Sequence, residues 1–190
     1  MITSILLSGV GGQGILLAEK IIASAAELAG YDVCANEVHG MAQRGGSVVA
    51  QIRYGHGVCS PLILEGTADA LFSLEISESV RNAHYLKKNG FAAVSTQRIV
   101  PITVTTGIAT YPDDIEDRVR KVFPYLKLVD CVGISKEMGD VRLANTLLLG
   151  VLSQSLPDIS ESIWLNAVEM CVKPAFVESN QKTFMKGRGL

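Results

Sequence analysis

At 190 residues the chain suits a single domain, which would bury roughly 70% of its extended-chain surface and needs neither metal nor disulfide to hold together. Apolar residues make up 48% and charged residues 19%, with mean hydropathy +0.29, which predicts extra buried surface in a doubly covered sheet or against a partner chain. Seventeen Lys and Arg against nineteen Asp and Glu give a formal charge of -2, which excludes a global attraction for nucleic acid or anionic lipid.

In chain order, Ile2 to Leu7 reads as an apolar strand, Gly9 to Gly14 as a glycine turn, and Ile15 to Ala29 as a helix closed by Gly30. Glu19, Lys20, Ser24 and Glu27 form a narrow polar face on that helix, so its wide apolar face should cover a sheet. Tyr31 to Val38 completes a β-α-β unit. Residues 37–47 then interleave polar and cationic side chains with glycines and show no period. Ser47 to Tyr54 alternates as a strand, with Val48, Ala50, Ile52 and Tyr54 on one face. Val58 to Leu64 is expected to return as a hairpin strand, Pro61 placing it at an edge or a strand start.

Ala68 to Leu74 reads as a buried strand and Glu75 to Lys88 as a helix ended by Asn89-Gly90. Phe91 to Ser95 is a further strand, and the β-branched run Ile99 to Thr106 another. Pro112 opens a helix with acids in its first turn and Arg118, Arg120 and Lys121 near its end, with Ile115, Val119 and Val122 facing inward. Lys127 to Val132 is the last strand, Gly139 to Leu152 a strongly apolar helix, and Ser160 begins a helix broken near Pro174. The tail Gln181 to Leu190 is expected either to fray or to dock on something outside this chain. These elements predict an α/β fold, a three-layer Rossmann-like domain over 1–190 with a mostly parallel or mixed sheet.

Cysteines at 34, 59, 131 and 171 are 25, 72 and 40 residues apart, which makes no CxxC pair and no compact zinc or iron-sulfur motif. His39, His56 and His84 lack ligand spacing, so no metal is expected. The first residues have no basic n-region, and no stretch approaches 18 uncharged apolar residues. The expectation is a cytoplasmic, reduced protein with no membrane segment and no nucleic-acid partner.

Gly9, Gly11, Gly12 and Gly14 set out G-x-G-x-x-G between strand and helix. Such glycines allow a tight turn and let helix amides approach a phosphate, although a packing turn without ligand uses the same residues. Glu37 stands where a dinucleotide-binding acid would take ribose hydroxyls. Walker lysine and Ser/Thr positions are missing, as is a G-x-S-x-G elbow. Arg44 beside Gly45 and Gly46 suits a phosphate or carboxylate through its planar fork, or else pairs with Glu37 and orders the loop. His39 reads as an acid-base group or a loop anchor, and Gln43 lies between them. Glu75, at the end of an apolar strand, reads either as a site residue or as a helix cap or interchain ion pair.

Longer segments carry a family resemblance: GVGGQGILLAEKI at 9–21, NEVHGMAQRGGSV at 36–48, GTADALFSLEISESVR at 66–81, NTLLLG at 145–150 and NQKTF at 180–184. The chain resembles the gamma-type subunits of 2-oxoacid:ferredoxin oxidoreductases, most of all the beta subunit of the indolepyruvate enzymes. The resemblance implies a pyruvate/ketoisovalerate oxidoreductase gamma-type domain that binds no cofactor tightly by itself and is inactive alone. Thiamine diphosphate, Mg2+ and iron-sulfur clusters would belong to a large alpha subunit, with coenzyme A as cosubstrate and ferredoxin as electron acceptor. It also implies that the glycine turn and residues 39–46 face the thiamine subunit. Arg44, Gly45 and Gly46 would then join the four turn glycines in contacting a cofactor or substrate, and His39, Gln43, Arg44 and Glu75 would support the reaction. The competing reading is a self-sufficient nucleotide-binding protein or enzyme.

Overall fold

The computed structural model describes residues 2–39 and 46–190. Its elements are β1 (Ile2–Val10), α1 (Ile15–Leu28), β2 (Asp32–His39), β3 (Ser47–Gly55), β4 (Ala68–Ser73), α2 (Ile76–Arg81) and β5 (Leu86–Ser95). They continue with α3 (Ile102–Thr105), α4 (Ile115–Val122), β6 (Tyr125–Val129), α5 (Cys131–Glu137), α6 (Ala144–Ser153), α7 (Glu161–Cys171) and α8 (Val177–Arg188). The strands form a six-stranded sheet in the order β2-β3-β1-β4-β5-β6. β3 runs antiparallel to both its neighbours, while β1, β4, β5 and β6 are mutually parallel. The fold is therefore three-layer α/β with a mixed sheet.

Alternation sorts the strand side chains into two cores. Ile5 and Leu7 of β1, with Val48, Ala50, Ile52 and Tyr54 of β3, pack beneath α1, α6, α7 and Phe184 of α8. Leu6, Leu71, Ala92 and Val94 point to the other face, which Ile76 of α2 and Ile115 and Val119 of α4 cover. All ten residues of α6 are buried, which explains the apolar run Leu147 to Leu152, while the buried polar side chains Asn145, Thr146 and Ser153 are hydrogen-bonded.

Five sequence expectations need correction. Val58 to Leu64 forms no strand, because side chains of β3 satisfy its backbone: Gln51 Oε1 accepts from Ile63 N (2.7 Å), and Arg53 Nη1 donates to Ser60 O (2.9 Å). The helix expected to reach Lys88 stops at Arg81. After a 3-10 turn at Ala83–Tyr85, residues 86–90 join β5 across a register shift opposite Ala68 and Ala70. Ile99 to Thr106 is not a strand and joins no edge of the sheet. Its amides instead close the short helix α3 through Val104 N→Pro101 O (3.0 Å) and Thr106 N→Ile102 O (2.9 Å). Val122 is 43% exposed rather than inward.

The tail is neither frayed nor docked outside the chain. It forms most of α8, which crosses α6 so closely that a Cβ on Gly187 would lie 1.9 Å from Leu147 O, and one on Gly150 would lie 2.1 Å from Phe184 O. Only glycine permits that approach. Beside the crossing, Thr146 Oγ1 donates to Asn180 Oδ1 (2.7 Å), and the Trp164 and Phe184 rings stack at 5.8 Å.

Candidate functional site

The glycine turn lies at the carboxyl end of β1, beside the point where chain connections leave the sheet in opposite directions, a usual place for a crevice in α/β folds. Gly14 occupies the cap position of α1 with φ 85°, and a Cβ there would meet the Asn145 amide at 2.5 Å. At Gly9 a side chain would press on Gln13 Oε1 at 2.8 Å. Gly11 N donates to Gly46 O (2.9 Å), joining the turn to the start of β3.

Gln13, an unspecified position in the glycine motif, organises this end of the sheet. Its Oε1 accepts from Val10 N (2.7 Å), while its Nε2 donates to Leu74 O (2.9 Å) and Gln97 Oε1 (2.8 Å). One neutral side chain thus links the ends of β1, β4 and β5. Alongside it runs an open cleft of about 670 Å³ lined by Gly11, Gly12, Gly14, Gln97, Arg142 and Asn145. Asn145 Nδ2 donates to Gly14 O (3.3 Å), so the turn is tied through Asn145 and Thr146 to Asn180 of α8. Arg142 is held by Asp140 through paired contacts of 2.6 and 2.9 Å, and its guanidinium lies 5.6 Å from the centre of the Phe176 ring.

Glu75 is fully buried and caps α2. Its Oε2 accepts from Ser77 Oγ (2.6 Å) and Glu78 N (2.9 Å), and its Oε1 from Tyr111 OH (2.7 Å) and Ile99 N (3.2 Å). Of the two sequence readings, the geometry supports the helix cap. Burial, with the bond to Glu75 next, pushes the Tyr111 phenol up to about 12.

The dinucleotide reading fails on topology. In that arrangement β2 lies beside β1, whereas β3 is inserted between them here, moving Glu37 out by one strand spacing of about 4.8 Å. Glu37 instead shares a hydrogen bond with Glu19 of α1. Burial first, then the bond to Glu37 and its charge, push the Glu19 carboxyl up to about 8.

Of the sequence candidates, Gly9, Gly11, Gly12, Gly14 and Gly46 come together at the turn, and Glu75 lies one strand away at the end of β4. His39, the last residue of β2, pairs with Val48 of β3, but its side chain, like Gln43, Arg44 and Gly45, lies outside the described residues. Gln13, Gln97, Arg142 and Asn145 were not singled out. Gln13 had one legible signal, an amide able to donate and accept inside a glycine turn. Asn145 stood only within a segment quoted for its resemblance.

The cysteines lie on separate parts of the fold, Cys34 on β2, Cys59 in the following loop, Cys131 at the start of α5 and Cys171 at the end of α7. Burial pushes the Cys131 thiol up to about 12. These positions do not fit a cluster, and among the described residues no three His, Cys, Asp or Glu side chains gather as a metal site. Among the same residues no helix is long and apolar enough to cross a membrane.

Residues 4–190 match the family described as pyruvate ferredoxin/flavodoxin oxidoreductase. The chain belongs to that family. It is 38% identical over 189 residues to the indolepyruvate oxidoreductase subunit IorB of Thermococcus kodakarensis, covering 97% of this chain and 93% of the relative. The keto/oxoacid ferredoxin oxidoreductase gamma subunit from Geobacter sulfurreducens superposes with TM-score 0.75 at 25% identity, over 98% of this chain and 94% of that one. The fold also occurs within the 2-oxoglutarate:ferredoxin oxidoreductase from Magnetococcus marinus, a structure with 2-oxoglutarate, coenzyme A and succinyl-CoA bound. There the TM-score is 0.73 at 22% identity, and 99% of this chain corresponds to 30% of that longer chain. The chain is thus a gamma-type oxidoreductase subunit, similar to the IorB subunits.

Proposed function

We propose that this chain is the accessory subunit of a thiamine-diphosphate-dependent 2-oxoacid:ferredoxin oxidoreductase that takes indolepyruvate or another aryl pyruvate to acyl-CoA, carbon dioxide and reduced ferredoxin. The observation that carries the reading is the full-length likeness to an IorB subunit, which leaves no large part of either chain unmatched. Thiamine diphosphate supplies the carbanion chemistry when bound, and it, Mg2+ and the iron-sulfur clusters reside in a large partner chain. This chain's residues hold the interface: Gln13 fixes the glycine turn, Asn145 braces it from α6, and the cleft beside them faces the partner. Arg44 meets a substrate carboxylate or a coenzyme A phosphate, while His39 and Gln43 order the loop around it. The chain alone is inactive, and its place is the cytoplasm.

The test is oxo-acid-dependent ferredoxin reduction by the large chain with and without this one, followed by Arg44→Ala and Arg44→Lys in the assembled enzyme. Arg44→Ala should impair use of oxo acid or coenzyme A with assembly intact, and Arg44→Lys should recover part of it, since lysine keeps the charge but loses the two-point fork. Full turnover by the large chain alone would overturn the reading. So would tight binding of a nicotinamide or flavin by this chain in isolation.

A further inference from the structure

Between Arg98 and Asp113 the sequence runs for 14 residues, 99–112, without a charge. The structure closes this stretch into a loop whose two roots are held by one buried carboxylate, Glu75 Oε1, which accepts from Ile99 N at one root and Tyr111 OH at the other. Across the base Arg98 pairs with Glu116 at 3.2 Å. The tip is ordered by its own backbone: Ile108 N and Ala109 N both donate to Thr103 O at 2.9 Å, around a turn at Gly107 with φ 75°. Yet this pinned tip leaves Ile102 77%, Ile108 80% and Val100 49% exposed. Holding isoleucines in water on a loop pinned in place is a cost to the isolated chain, and a covering surface would remove it.

We propose that the 99–112 loop is the docking surface of this chain on an uncharged, apolar patch of the large thiamine-binding subunit, a proposal that rests on the function inferred above. Two observations favour that occupant over a second copy. Ile99, at the root of the loop, also lines the glycine-turn cleft, so a partner seated on the tip lies against the cleft it has to enclose. In the Magnetococcus enzyme the same fold is 30% of a longer chain, so there it accompanies much larger parts of one oxidoreductase. The charge pattern suits the same occupant: the apolar stretch is flanked in sequence by Arg98 and by Asp113 and Asp114, and Arg98 pairs with Glu116 at its base, an apolar centre beside charged edges as in specific interfaces.

The experiment uses the full chain and the full large chain, with binding measured by sedimentation and by titration for wild type, Ile102→Asp, Ile108→Asp and the double variant. Circular dichroism checks that each variant folds, and Leu62→Asp with Leu64→Asp, exposed apolar residues of a different loop, serves as the control. The double variant should bind at least about thirtyfold more weakly, while the control changes by less than about threefold. A folded double variant that binds within about threefold of wild type overturns the docking surface and leaves the functional reading intact. Loss of a dimer of this chain in the same variants, with large-chain binding unchanged, also overturns it in favour of a second copy. If wild type fails to bind the large chain at all, the functional reading falls and this proposal falls with it.

Discussion

Replacing Gly187 by alanine tests the α6–α8 crossing most directly. The added methyl would stand 1.9 Å from Leu147 O, so the helices must part by about 1.5 Å to restore an ordinary 3.4 Å contact. Backbone lies opposite the methyl, and no side-chain rotation relieves the clash. Overpacking of this kind costs about 3 kcal/mol. The displacement also stretches the Thr146–Asn180 bond, worth about 1 kcal/mol. Alanine's better helix propensity returns about 1 kcal/mol. The net loss of about 3 kcal/mol corresponds to a fall in Tm of about 6 to 12 °C for a chain of this length. Gly189, where a methyl would meet nothing nearer than 3.6 Å and φ is -88°, is the matched control, and Gly189→Ala should be neutral or slightly stabilising. Thermal unfolding followed by circular dichroism reads both. A Gly187→Ala midpoint equal to or above that of Gly189→Ala would refute the packing argument.

Gln13→Ala removes three hydrogen bonds and leaves Val10 N without its acceptor, so the urea midpoint should drop by the equivalent of about 2 kcal/mol; an unchanged midpoint would mean the turn holds without the amide. Glu75→Gln replaces a four-bond carboxylate acceptor by a group with a single acceptor oxygen, which should cost about 2 to 4 kcal/mol and speed hydrogen exchange at the Ile99 amide. Protected exchange at Ile99 in that variant would contradict the role of Glu75 at the loop neck. Glu19 has its folded pKa raised to about 8 from an ordinary 4.5, so between those values the folded chain keeps a proton the unfolded chain has lost, and stability falls as pH rises through that window. Glu19→Gln should therefore gain on wild type as pH rises from about 5 to about 9 in urea melts; a gap that stays constant would exclude the raised carboxyl.

The glycine turn, most of the α1 face, the inward side of β3 and the break near Pro174 were legible, because each depends on residues within a few positions of one another; on α1, Glu19 is buried and Leu16 exposed, against the expected polar and apolar faces. The β-branched run 99–106 misled for the same reason: its propensity is local, whereas its amides bond back within the loop, Val104 N to Pro101 O and Thr106 N to Ile102 O. Lys87 to Gly90 looked like a helix end, yet they lie within β5 at the register shift between Leu86, paired with Ala68, and Phe91, paired with Ala70. At the site, the glycines could be read as a turn but not as a turn latched by Gln13, since the latch closes on Leu74 and Gln97, 61 and 84 residues away.

By itself the sequence determined the layer class, the strand-glycine-helix opening and, through five quoted segments, the family. Tertiary structure alone decided that β3 enters between β1 and β2, that Glu37 meets Glu19 rather than a ribose, and that Glu75 pins a loop. It also brought NTLLLG against NQKTF, where Thr146 bonds Asn180 and Gly150 lies against the backbone of Phe184. The physical reason is range. Periodicity and turn chemistry report on neighbours along the chain, whereas strand order, shared protons and helix crossings are set by which distant surfaces bury one another most completely.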